Sequence, residues 1–141
     1  MSLEMRDLLA EPVAGVCEKT AHLHVWTDIA RLAESIALIQ AWGFTYRSCL
    51  TCLESEMATG DYWQHANHFL LLGTRGKRPF MDGNQPSWIE CDWSENGARP
   101  KGIHAMVETV SPSPYLQLFA ADPPPNTSWT VRSLSRALQR R

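Results

Sequence analysis

Apolar positions along the chain change period several times, and each change marks an element. "HLHVWT" (22–27) alternates, the period of a strand. Asp28 can then cap a helix in which Leu32, Ile36 and Ile39 fall at i, i+4 and i+7, with Ala33 and Ala37 beside them and Gly43 as its stop. "YRSCLTCL" (46–53) predicts a second strand and "ESEMATGDYWQ" (54–64) a loop. "HFLLLGT" (68–74) is a continuous apolar run and predicts a buried strand. Turn chemistry fills 75–86, and "SWIECDW" (87–93) is a further strand candidate. Pro100 suits the first position of a helix, with Ile103, Met106, Val107 and Val110 as its apolar face. "SPSP" (111–114) ends it, and "YLQLFA" (115–120) and "SWTVR" (128–132) predict two more strands.

At the ends, Ser2 to Ala10 can form a short helix before Pro12, and Arg132, Arg136 and Arg140 share one stripe of a helical tail. Strands alternating with helices indicate an α/β sheet with helices packed on it. A chain of 141 residues is one domain, with no internal repeat or linker. Its net charge of −2 argues against a nucleic-acid-coating basic surface, although the Arg stripe can touch phosphates. No apolar run approaches ~18 residues, so a membrane span is not expected. The opening "MSLEMRDLLAEP" mixes charge into its apolar positions, unlike a secretion signal. The four cysteines (17, 49, 52 and 91) are unevenly spaced, and reduced thiols in a cytoplasmic compartment (nuclear in a eukaryote) are expected.

Cys49, Cys52, His65 and His68 spell C-x(2)-C-x(12)-H-x(2)-H, close to a zinc finger. The histidine spacing is one short, Glu56 and Tyr62 fill the finger's apolar positions, and strand alternation sends Cys49 and Cys52 to opposite faces. Two core cysteines and two loop histidines are expected instead. His22 and His24, two apart on a strand, share a face and can chelate, but without a third ligand half-buried packing is the simpler reading. G-x-G-x-x-G, G-x-x-x-x-G-K-[ST] and G-x-S-x-G are all absent, which removes the signatures of nucleotide hydrolysis and serine esterase chemistry.

Taken in order, "AHLHVWT", "LIQAWGFTYRS", "GDYW…H…LLLGTRGK", "RPKGIHAMVETVSPSPYLQLFA" and a final Trp129 resemble the MT-A family. These are S-adenosylmethionine-dependent N(6)-adenine methyltransferases, the messenger-RNA adenosine enzyme among them. The resemblance covers residues 1–132, leaving 133–141 as a basic tail. It implies a Rossmann-like methyltransferase sheet with helices on its faces, the catalytic strand first and the cofactor strand last. "YLQLFA" would then face the methionine part of S-adenosylmethionine, and "SWTVR" would lie near its adenosine. Ligands sit at the carboxyl ends of strands in such sheets.

The family's catalytic signature is D-P-P followed by an aromatic, and it precedes "HLHVWT". Its Asp accepts hydrogen bonds from the adenine amino group while the aromatic stacks on the extruded base. Asp122-Pro123-Pro124-Pro125 instead follows "YLQLFA", so its likeness to that signature is accidental. No [DN]-P-P-aromatic precedes His22, and "MSLE" resembles family sequence shortly after the motif; it is either lost or cut off. Other departures are Ala120-Ala121 for the family's Gly-Arg, Phe69 for the acid after His68, Arg99-Pro100 for Lys-Pro, and no "G-N" near Arg132.

The implied cofactor-binding residues are therefore Arg99, Phe119, Ala120 and Asp122, the last for its position alone. Tyr62 and Trp63 match the substrate-side loop, and no residue is a catalytic candidate. Without the catalytic strand, its two neighbours must pair directly, accept a strand from another chain, or leave open edges, which invites a homo- or hetero-oligomer. Three functions follow: a methyltransferase-family domain acting on RNA or DNA but impaired as this chain, a non-catalytic partner subunit that helps hold nucleic acid, or a zinc-binding interaction module.

Overall fold

The computed structural model describes residues 13–58, 62–77, 79–91, 103–118 and 126–132. The expected helix at 2–10, the Pro100 start, the end of the 115–120 strand and the basic tail lie outside these residues. Among them the chain runs α1 (Val13–Val16), β1 (Ala21–Thr27), a 3-10 turn (Ile29–Arg31), α2 (Leu32–Ala41), β2 (Thr45–Ala58) and β3 (His65–Arg75). It continues through β4 (Trp88–Cys91), α3 (Ile103–Val110), β5 (Tyr115–Leu118) and β6 (Trp129–Arg132). This is a mixed α/β structure. One sheet has the order β1-β3-β2-β4, and β5 pairs with β6 in a second.

The uninterrupted apolar run at 68–74 falls on β3, an inner strand antiparallel to both β1 and β2. Its successive leucines point to opposite faces. Leu71, fully buried, joins Leu38, Ile39, Trp42 and Phe44 of α2 and its exit. Leu70 joins Ile103 and Val107 of α3, with Trp26, Leu50, Tyr115 and Trp129 around them. The two helices therefore cover opposite faces of the same sheet. That double cover explains the apolar run Phe69 to Leu72 at the centre of β3.

On β2, Tyr46 and Cys49 both pack on the α2 side although they are three residues apart. An extra residue between the pairs Tyr46↔Gly73 and Ser48↔Leu72 makes this possible. The expected loop at 54–64 needs correction, because β2 continues to Ala58. From Leu53↔Asn67 to Ala58↔His65, β2 advances further than β3, and this irregularity lets a polar segment remain in the ladder.

Asp28 caps as expected, its Oδ1 accepting from the Arg31 N–H at 3.0 Å, but a 3-10 turn comes first and α2 starts at Leu32. At the other end Gly43 has φ +88°, a conformation that favours glycine. The Phe44 N–H reaches the Ile39 carbonyl (3.1 Å) and the Gly43 N–H reaches that of Gln40 (3.0 Å), a Schellman closure. Ile39 and Phe44 then meet in the core.

Among the described residues β1 ends the four-stranded sheet, and β5 has only β6 as a neighbour. The two strands expected to flank a catalytic strand thus do not pair with each other among the described residues.

Candidate functional site

The groups the chain does assemble lie between β1 and the α3–β5 junction. His22 and His24 project from one face of β1 because they are two residues apart on a strand. Both rings close on a single hydroxyl: His22 Nδ1 lies 2.6 Å and His24 Nε2 2.8 Å from Ser111 Oγ. One ring accepts the hydroxyl proton while the other donates its N–H, so the two tautomers are coupled.

Ser111 is 4% exposed. Its N–H donates to the Val107 carbonyl at 2.8 Å, and its own carbonyl accepts the Tyr115 hydroxyl at 2.8 Å. The Phe80 ring stands edge-on to His22, with centroids 5.6 Å apart. Burial, and then the neighbouring His22, push the His24 pKa down to about 4, so this ring is neutral at pH 7. A hydroxyl held between two imidazoles has the composition of an activated nucleophile, but here it is closed off from substrate. It joins β1 to the segment carrying β5. The half-buried packing expected of His22 and His24 is what the structure has. The serine was missed because "SPSP" signals only a helix stop.

A second network organises β5 and β6, which run parallel with Tyr115↔Trp129 in register. The Tyr115 ring stacks on Trp129, and His104 packs edge-on against the same indole, each with centroids 4.7 Å apart. Glu108 Oε2 accepts from the Trp129 Nε1–H at 3.2 Å and from Asn126 Nδ2 at 3.0 Å. These bonds, that of Asn126 foremost, hold the Glu108 carboxyl below its usual range. His104 Nε2 meets Gln117 Oε1 at 2.8 Å. α3 is thereby fixed across the two strands whose carboxyl ends lead toward residues 119–125 and 133.

Of the expected cofactor residues, Arg99, Phe119, Ala120 and Asp122 lie outside the described residues. Tyr62 and Trp63 stand between β2 and β3, 94% and 86% exposed. Two adjacent aromatic rings left in water form a surface on which a flat ligand can stack.

The zinc constellation is not assembled. Cys49 packs on the α2 side, whereas Cys52, opposite His68 in the ladder, is fully buried and disulfide-bonded. His68 Nδ1 pairs with Glu54 instead. Among the described residues no three His, Cys, Asp or Glu side chains are grouped to hold a metal ion. The Cys52 disulfide also corrects the expectation that all thiols are reduced. Spacing along the chain could not show that β4 lies parallel to β2, bringing residues 88–91 alongside 51–54. Cys17 and Cys49 are free, and burial raises both thiols above their usual pKa, which disfavours the reactive thiolate.

No helix among the described residues is long and apolar enough to cross a membrane. No protein-family model and no curated protein sequence gives a significant match to the chain.

Proposed function

We propose that this chain is an S-adenosylmethionine-binding domain of the N(6)-adenine methyltransferase type, Rossmann-like and incomplete at its catalytic strand. On this reading it transfers no methyl group by itself. The observation that carries it is the break in the sheet. The family's catalytic strand would lie between the 21–27 and 115–120 strands, and among the described residues β1 and β5 stand at edges of separate sheets. The ordered phrases of the sequence support the same reading.

In this reading Phe119 and Ala120, which follow β5 in the chain, would belong to the sequence that holds the cofactor's methionine end. Asp122 would accept hydrogen bonds from its ammonium or ribose, and Arg99 would supply the charge of the family's lysine. The adenosine lies near β6. The described residues fit such a group in one respect: α3 and the Tyr115–Trp129 stack hold two parallel strands in register beneath those carboxyl ends. Tyr62 and Trp63 would stack on bases of an RNA or DNA substrate. Calorimetry with S-adenosylmethionine, and S-adenosylhomocysteine as companion, tests the reading.

Among the described residues β1 and β5 each keep one edge without a partner strand, and this favours a second reading, a non-catalytic subunit that pairs with an active relative or with its own copies. Light scattering tests that one. A sharp monomer peak at all concentrations would count against association through these edges.

A further inference from the structure

We propose that His22, Ser111 and His24 form an acid-released latch, closed at neutral pH, that couples β1 of the larger sheet to the α3–β5 junction. The proposal is independent of the methyltransferase reading and stands on geometry. One hydroxyl bridges two rings 2.6 Å and 2.8 Å away, across 87 to 89 residues of chain. The bridge works because a neutral pair supplies one N–H donor and one bare nitrogen, matching the hydroxyl's acceptor and donor.

Protonating the ring that accepts the hydroxyl proton destroys this match. Both nitrogens then donate, and the Ser111 proton must find another acceptor in a site closed to water. The new imidazolium also lies beside a second imidazole, their centroids 6.3 Å apart. Both effects push β1 and the junction apart, and the junction carries β5 and β6.

Among the described residues, the elements packed around the pair present these groups. From β3 the register partners are Thr74 and Leu72, both uncharged, with Arg75 one step beyond and over the Phe44 ring. α3 carries Glu108, whose carboxylate is engaged by Asn126 and Trp129, and His104, which meets Gln117. From the 79–87 segment, Phe80 packs on His22, and the Asp82 carboxylate is held by Asn84 and Gln85. The Tyr115 hydroxyl is spent on the Ser111 carbonyl. The lowered pKa of His24 agrees with a site that resists the proton until it opens.

The experiment is amide hydrogen exchange on the whole chain from pH 8 to pH 3.5, corrected for intrinsic rates, with histidine ring protons followed by NMR. With His24 at 6.5 when open and about 4 when closed, the open fraction of α3–β5–β6 rises about 30-fold between pH 8 and pH 5. Protection at the β1–β3 pairing should fall less. His24→Gln, which cannot titrate, should flatten the response. An unchanged acid response in His24→Gln, or a flat wild-type profile, overturns the proposal. Should His24→Gln fail to fold, the wild type decides: the loss of protection must share its midpoint with the His24 ring titration. Midpoints more than a unit apart overturn the latch.

Discussion

The Tyr115 ring lies on the Trp129 indole at 4.7 Å between centroids and 21° between planes, joining two parallel strands through their first residues. A two-stranded parallel sheet is weak alone, so this stack, the His104 edge contact and the Glu108 bond to the indole N–H carry β5 and β6. Trp129→Ala should cost about 3 kcal/mol. Trp129→Phe, which retains a ring but loses the hydrogen bond, should cost about 1 kcal/mol. Urea unfolding of both variants checks the order; equal losses would show that the ring stack contributes nothing beyond the hydrogen bond.

Gly73 marks a close approach between β3 and α2 with its exit. A Cβ there would stand 2.7 Å from Ile39 Cγ2 and 3.1 Å from Phe44 Cβ, both on buried side chains. Gly73→Ala should therefore destabilise by about 1–3 kcal/mol through overpacking. Gly43→Ala meets no neighbour and should cost only about 1 kcal/mol, from its positive φ. Denaturant midpoints at unchanged slope distinguish the two.

Acid should weaken the fold through His24. Its pKa is about 4 folded against 6.5 unfolded, so between these values the unfolded chain binds more protons. Stability from this group is complete above pH 6.5, declines as pH falls, and is gone by about pH 4. The whole effect is about 3 kcal/mol. Unfolding free energies at pH 7.5, 5.5 and 4.5 test the trend, and His24→Gln should remove this share of the slope.

Tyr62 and Trp63 separate fold from function, being 94% and 86% exposed. Replacing both with Ala should change stability by less than about 0.5 kcal/mol. If they stack on bases, the pair should contribute about 1–3 kcal/mol per base to single-strand binding. Fluorescence anisotropy with a labelled oligonucleotide reads this; unchanged affinity would remove them from the substrate side.

Much of this fold was legible because its signals are local. Asp28 and Gly43 bound a helix by capping chemistry, the leucines at 70–72 announce a strand covered on both faces, and Ile103, Val107 and Val110 mark one buried helix face. The hidden parts depend on pairing. Ser35 is buried on α2, where an apolar stripe predicts nothing polar, because it donates to Thr27 Oγ1 at 2.7 Å. The polar end of β2 is a strand only because β3 returns beside it. Ser111 acquires meaning only when α3 brings it to two histidines far away in sequence. The phrases that resemble a methyltransferase fix an order of strands; Arg99, Phe119, Ala120 and Asp122, which lie outside the described residues, rest on that order alone.

The most direct test of the central claim is calorimetric titration of S-adenosylmethionine into the purified chain. Saturable binding with a Kd below ~1 mM, equivalent to more than roughly 4 kcal/mol, is expected, with no methyl transfer to an adenine oligonucleotide in the same solution. No detectable heat up to that concentration would contradict it, leaving the partner-subunit reading in its place.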